Sequence, residues 1–429
     1  MKYYSLNNKS ETITFQEAVI QGLAPDNGLY FPETITPLPL SFFDDIEKLS
    51  NEEIAYQAIQ QFVGNEIPEP ELKAIIKETL CFDFPVVSVE ENIYSLELYH
   101  GPTMAFKDVG ARFMSRCLGY FNKNNDKQIT VLVATSGDTG GAVASGFLGV
   151  KNLEVIILYP SGKVSDIQER QLTTLGQNIT ALEIEGVFDD CQDMVKKAFL
   201  DKSLSHKNLT SANSINIARW LPQMFYFFIA YKQLKAKNKN LVFSCPSGNF
   251  GNICAGIMAK KLGLPIAHFV AATNANDTVP RFLENGKYDA KPSVATISNA
   301  MDVGNPSNFV RIQELYNNDL KQFKKDFSSF SFTDEETKTA LEAIYKTNGY
   351  IAEPHGAVGY LGLKKELKNH PNSIGIFLET AHPIKFLDIV EDCLNLKLEI
   401  PNQIMSVINK EKVSISIKTY DAFKNFITK

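Results

Sequence analysis

Short apolar runs recur along the chain at 131–135 (VLVAT), 153–160 (LEVIILYP), 179–186 (ITALEIEG), 241–246 (LVFSCP), 266–273 (IAHFVAAT) and 373–380 (SIGIFLET). Each is rich in Val, Ile, Leu or Phe and bounded by small or polar residues, the pattern of a strand buried on both faces. Between many of them apolar residues return at helical spacing, as in 109–121, 142–148 and 253–262. Alternating strand and helix predicts an α/β protein with parallel sheets flanked by helices. Residues 1–90, with helix-like stretches such as 51–62, predict a mainly helical N-terminal part. The region 321–338 reads as a charged helix with a solvated face, and the tail 387–429 carries no readable motif.

Three junctions in this pattern carry candidate chemistry. The loosely alternating run 93–99 ends at Gly101-Pro102, and Lys107 follows where a turn opens onto a helix. A lysine amine attacks carbonyls when its surroundings lower its pKa, and the flank Met104-Ala105-Phe106 is apolar. The alternative is a solvated lysine paired with Asp108. The other two junctions run from strand through a small-residue loop into a helix: Thr135-Ser136-Gly137-Asp138-Thr139-Gly140-Gly141 and Pro246-Ser247-Gly248-Asn249-Phe250-Gly251-Asn252. Free N–H groups at a helix start, with glycines admitting close approach, suit a phosphate or carboxylate; a tight structural turn is the competing reading. Neither loop has the G-x-x-x-x-G-K-[ST] or G-x-G-x-x-G spacing of nucleotide sites.

Composition narrows the classes. A formal charge of −6 offers no basic field for nucleic acid, so bound anions are expected to be small and held locally. Cys81, Cys117, Cys191, Cys245, Cys254 and Cys393 show neither CxxC pairing nor zinc spacing, which favours a reducing cytoplasm. The six histidines are scattered without a metal pattern, so no metal is expected. No run is long and apolar enough to span a membrane.

These segments together resemble pyridoxal-phosphate enzymes of the tryptophan-synthase-β fold (fold type II), and specifically the threonine synthase family in its longer bacterial and fungal form. The resemblance is carried by 27–32, 100–108, 134–141, 159–165, 185–191, 213–223, 244–252, 302–309 and 380–386. It implies that Lys107 joins covalently to pyridoxal 5′-phosphate and later moves protons, and that Gly248, Asn249, Phe250, Gly251 and Asn252 hold the cofactor phosphate. It places the Thr380 hydroxyl at the pyridine nitrogen. Ser136, Gly137 and Thr139 would take the substrate carboxylate. Asp138, where many relatives in the wider fold have asparagine, is expected to face the cofactor's phenolic oxygen or the backbone. Asn213, Asn216, Arg219 and Gln223 fall on the segment that binds the substrate phosphate; without the resemblance the segment reads as a capped helix with a solvated arginine, Asn213 or Ser214 being the cap. His382 is expected to be structural. The implied division is 1–90 N-terminal, 91–205 with the lysine and the carboxylate loop, and 206–429 with the cofactor phosphate loop and tail.

The implied reaction is conversion of O-phospho-L-homoserine and water to L-threonine and phosphate, a small-molecule reaction with no nucleic-acid or membrane partner. A phospholyase or a serine/threonine dehydratase of the same fold, and a catalytically idle cofactor-binding relative, are the readings left open.

Overall fold

Strand Leu241–Pro246 is buried at every position, and it forms the middle of a six-stranded sheet. In a computed structural model describing residues 1–124 and 127–428, this sheet runs Phe327–Ser331, Ile266–Thr273, Leu241–Pro246, Ile374–Glu379, Ile93–Glu97, Val86–Glu90. All neighbours are parallel except the last pair. A second, wholly parallel sheet of five strands runs Ile415–Ile417, Ile179–Ile184, Leu153–Pro160, Ile129–Ala134, Leu209–Ser211. Helices cover both sheets, as buried parallel strands require.

The helices follow the apolar spacing. Asn51–Val63 buries Ile54, Ala55, Ala58, Ile59, Phe62 and Val63 on one stripe, and the Ser50 side chain caps it by accepting from Glu53 N–H at 3.1 Å. Lys107–Asn122 buries Val109, Phe113, Met114, Cys117 and Leu118. Helix Pro354–Glu366 lies directly on the larger sheet: a Cβ at Gly362 would stand 2.8 Å from Ala272 Cβ, so only glycine permits that approach. Its close seating brings His355, near its start, to the site described below.

The N-terminal part is mainly helical, with a small sheet added, and two other expectations meet a different arrangement. Within 1–90, a three-stranded antiparallel sheet of Lys2–Ser5, Thr12–Thr14 and Tyr30–Pro32 accompanies the helices, and Val86–Glu90 leaves this part to edge the larger sheet. The ranges 91–205 and 206–429 do not separate the sheets: Ile93–Glu97 pairs with Ile374–Glu379, and Leu209–Ser211 with Ile129–Ala134. Crossover connections join strands adjacent in space rather than in sequence. The region 321–338 is two helices, Leu320–Asp326 and Asp334–Asn348, around the edge strand Phe327–Ser331. The tail completes the smaller sheet, with Ile415–Ile417 beside Ile179–Ile184. Among the described residues no helix is long and apolar enough to cross a membrane.

Candidate active site

Every candidate loop leaves the C-terminal end of a parallel strand, and the C-terminal edges of the two sheets open onto one cavity. Lys107 sits on its wall at the start of helix Lys107–Asn122. The turn before it is held in place: Phe106 N–H donates to Thr380 O at 2.9 Å, His382 N–H donates to Met104 O at 3.1 Å, and Met104 adopts φ 57° although it is not glycine. The pairing of Lys107 with Asp108 does not form; the Asp108 carboxylate instead accepts from Thr103 N–H at 2.9 Å and Thr103 Oγ1 at 2.5 Å.

Burial lowers the Lys107 pKa to about 8; Asp138 opposes the shift, while Arg219 and Lys385 add to it. The uncharged amine, the form that attacks a carbonyl, is therefore populated near neutral pH. In cofactor-free protein, the rate of Lys107 modification by an amine-directed reagent is expected to rise with pH through a midpoint near 8. A midpoint at the ordinary lysine value of 10.5 contradicts this.

Asp138 begins helix Asp138–Phe147, and its carboxylate lies 2.5 Å from Lys385 Nζ and accepts from Gln168 Nε2 at 2.9 Å. Burial pushes its pKa up, but Lys385 and Lys107 outweigh burial and hold it at about 2. Its side chain is thus committed to a buried ion pair, and Lys385 also donates to Thr103 O at 3.0 Å. Ser136 and Thr139 line the cavity, whereas Gly137 is turned away from it: a Cβ there would meet Gln168 at 2.7 Å.

The second loop is a cradle of backbone. Gly248, Asn249, Phe250, Gly251 and Asn252 all line the cavity, and helix Gly251–Lys261 presents there the first-turn N–H groups that no helix satisfies internally. Asn252 spends its side chain on the loop itself, donating to Pro246 O at 2.8 Å, while Asn249 ties the loop to the neighbouring segment by donating to Ser214 Oγ at 2.7 Å. A Cβ at Gly248 would stand 2.6 Å from Met301 Cα, a backbone atom. Gly248→Val is therefore expected to shift the cradle and weaken cofactor affinity roughly tenfold or more, an overpacking cost of about 1–3 kcal/mol. Equilibrium titration of cofactor-free protein checks this, and unchanged affinity would place the cradle elsewhere.

Thr380 lines the cavity and its Oγ1 is 3.5 Å from Glu353 Oε1. Glu353 is fully buried, accepting from Gly356 N–H at 3.1 Å and, through Oε2, standing 2.5 Å from His355 Nδ1. Ala300 N–H donates to His355 Nε2 at 3.1 Å, so the imidazole carries its proton on Nδ1 and donates to Glu353. Behind them Glu379 is held far above the usual carboxylate range by burial and by Glu353, keeping this corner from accumulating negative charge. His382 accepts from Ile384 N–H at 3.1 Å and packs edge-on against Tyr99, a structural placement.

The segment 213–223 divides. Arg219 is 2% exposed, lines the cavity, and leaves its Nε without a partner, while Nη1 donates to Ala212 O. Burial lowers its pKa to about 10, so it remains a cation. Gln223 lines the cavity and donates to Arg219 O at 2.9 Å. Asn213 lines it too, but donates to Ala134 O at 2.7 Å, tying the segment to the smaller sheet. Asn216 does not reach the cavity: it caps Ile217–Trp220 by accepting from Ala218 N–H at 3.0 Å and donates to Val19 O and Ser211 O. A helix cap does form, but at Asn216 rather than at Asn213 or Ser214, and the solvated-arginine reading fails for Arg219.

Sequence reasoning assigned no role to Lys385 or His355, and took Ser214 only as a candidate helix cap. Lys385 lay within a quoted stretch, but nothing local pairs it with Asp138.

The residues fit pyridoxal phosphate: a backbone cradle for an anion, a lysine amine of lowered pKa, and a hydroxyl at Thr380. A family model described as pyridoxal-phosphate dependent enzyme matches residues 73–377. Models described as threonine synthase N terminus and threonine synthase, C-terminal match 2–80 and 356–427. The threonine synthase of Haemophilus influenzae is 48% identical, covering 94% of this chain and 93% of that one. The crystal structure of threonine synthase from Escherichia coli superposes with a TM-score of 0.95 at 43% identity, covering 100% and 99%. That of PLP-bound threonine synthase from Brucella melitensis superposes with a TM-score of 0.93 at 33% identity, covering 100% and 98%. The chain belongs to the threonine synthase family of pyridoxal-phosphate-dependent lyases.

Proposed function

We propose that the chain converts O-phospho-L-homoserine and water to L-threonine and phosphate, in the cytoplasm. The observation that carries the choice of substrate is Arg219: a buried cation lining the cavity, carried on a different segment from the glycine cradle that suits the cofactor's own phosphate. A planar guanidinium binds a phosphate dianion through paired, charge-assisted hydrogen bonds. A dehydratase acting on an unphosphorylated amino acid needs no such second anion site. The six free thiols suit a reducing compartment.

When bound, pyridoxal phosphate supplies the electron sink for ionising bonds beside the substrate's amino group. The chain does the rest. The N–H groups and hydroxyls of Ser136 and Thr139 hold the substrate carboxylate, and Arg219, with Gln223 beside it, holds the γ-phosphate. Lys107 Nζ, whose uncharged form is made accessible by its surroundings, takes the α-proton. With the β-proton also removed, the C–O bond to the γ-phosphate breaks and phosphate departs into the Arg219 pocket. Water then adds its hydroxyl at the β-carbon, one proton goes to the γ-carbon, which becomes the methyl group, one returns to the α-carbon, and the third leaves on the phosphate. Lys385 keeps Asp138 neutralised, so its carboxylate does not repel the anionic substrate.

Incubation with O-phospho-L-homoserine, measuring phosphate, threonine and 2-oxobutanoate together, tests the proposal. Equal phosphate and threonine are expected. Phosphate with 2-oxobutanoate instead marks a phospholyase, and no phosphate from any phosphorylated substrate marks a cofactor binder without this activity.

A further inference from the structure

A second polar cluster lies at the other end of the larger sheet, near the start of strand Ile266–Thr273 and the finish of helix Pro354–Glu366. There His268, Glu366 and His370 converge, and one ligand atom from each falls within 4.8 Å of the others. Glu366 Oε1 is 3.3 Å from His370 Nε2 and 3.8 Å from His268 Nε2. Ligands bonded to a tetrahedral zinc ion at about 2.0–2.2 Å stand roughly 3.3–3.5 Å apart, so the Glu366–His370 contact already has that spacing, the Glu366–His268 contact is slightly long, and the ligand nitrogens of the two imidazoles lie within 4.8 Å of each other.

The surroundings suit an ion better than a proton-shared surface pair. The side chains of Glu366 and His268 are 6% and 7% exposed, and His370, at 28%, faces the opening. The neighbouring cation, Lys260, is occupied by Asp326 at 2.9 Å. Asn369 Nδ2 donates to Glu366 Oε1 at 3.2 Å and so orients that carboxylate, whereas the contact of Ser328 Oγ with His268 Nε2, at 3.1 Å, has to be given up for that nitrogen to bind an ion. Two imidazoles with one carboxylate select a borderline transition ion such as Zn2+ over Ca2+ or Mg2+, which prefer all-oxygen sites.

We propose that His268, Glu366 and His370 form a divalent transition-metal site of the zinc type, with water completing the coordination on the His370 side. The site is separate from the cofactor cavity, none of its residues lining it. It ties the strand to the helix end and the turn that follows, so its effect is on stability.

The test uses the full-length holoenzyme freed of metal by chelator and gel filtration, titrated with Zn2+ against a chromophoric competitor. One equivalent is expected to bind, with a rise in Tm, while Co2+ in its place gives the visible absorption bands of four-coordinate cobalt. His370→Ala, at the open side, and His268→Gln should each weaken binding by about tenfold or more with the cofactor spectrum unchanged. His206→Ala, at another exposed histidine, should not. The proposal is overturned if the parent binds no stoichiometric Zn2+, or if both site variants bind within threefold of it. Should His268→Gln fail to fold, His370→Ala alone decides by the same threshold.

Discussion

Replacing Lys107 with alanine lowers turnover of O-phospho-L-homoserine by roughly three orders of magnitude or more, because one substitution removes both the covalent anchor and the proton carrier. The fold should be unharmed. Alanine is the best helix former at the start of Lys107–Asn122, and Asp138 keeps its ion pair with Lys385 when the other amine is gone. The parent protein should be yellow, with an absorption band that borohydride treatment abolishes while fixing the cofactor on the peptide containing Lys107. Steady-state rates measured beside thermal unfolding separate lost chemistry from lost structure. A Lys107→Ala protein with near-parental turnover would sink the assignment.

The second large effect is at Arg219. Arg219→Ala should cost about 1.5–3 kcal/mol for each charge-assisted hydrogen bond lost to the substrate phosphate, roughly a ten- to hundredfold fall in kcat/KM. The side chain is buried and donates to Ala212 O, so the substitution also lowers stability. Arg219→Lys controls for this by retaining charge while losing the planar fork, and it should fall between parent and alanine. Competitive inhibition by inorganic phosphate should weaken in parallel, while the cofactor spectrum stays. If both variants handle the phosphorylated substrate normally but alter the cofactor spectrum, Arg219 belongs to the cofactor side, and a dehydratase becomes the better reading.

The sheets show how local signals and long-range pairing share the outcome. The runs at 241–246 and 266–273 became strands at those bounds, because a fully apolar segment between polar turns has few alternatives to burial. The edge strands Phe327–Ser331 and Ile415–Ile417 were not legible, being short, serine-containing and partly exposed. Their strand state comes from a neighbour's hydrogen bonds rather than from their own pattern. The same division runs through the site. Lys107 and the glycine loops announce themselves as breaks between strand and helix, where backbone geometry is local. Asn216 and Arg219 share one segment and one family motif, yet one caps a helix and the other faces the cavity. Which way each points is decided by what packs around that short helix.

The sequence by itself determined the α/β class, the order of most strands and helices, and the loops that meet at the cavity, since periodicity and turn chemistry act over a few residues. Only the tertiary structure decided the assignment of strands to two sheets, the pairing of Asp138 with Lys385, and the meeting of His268 with Glu366 and His370. These depend on contacts between segments far apart in the chain. There the free energy of burying a charge favours whichever partner the packing brings within reach, and spacing along the sequence carries no record of it.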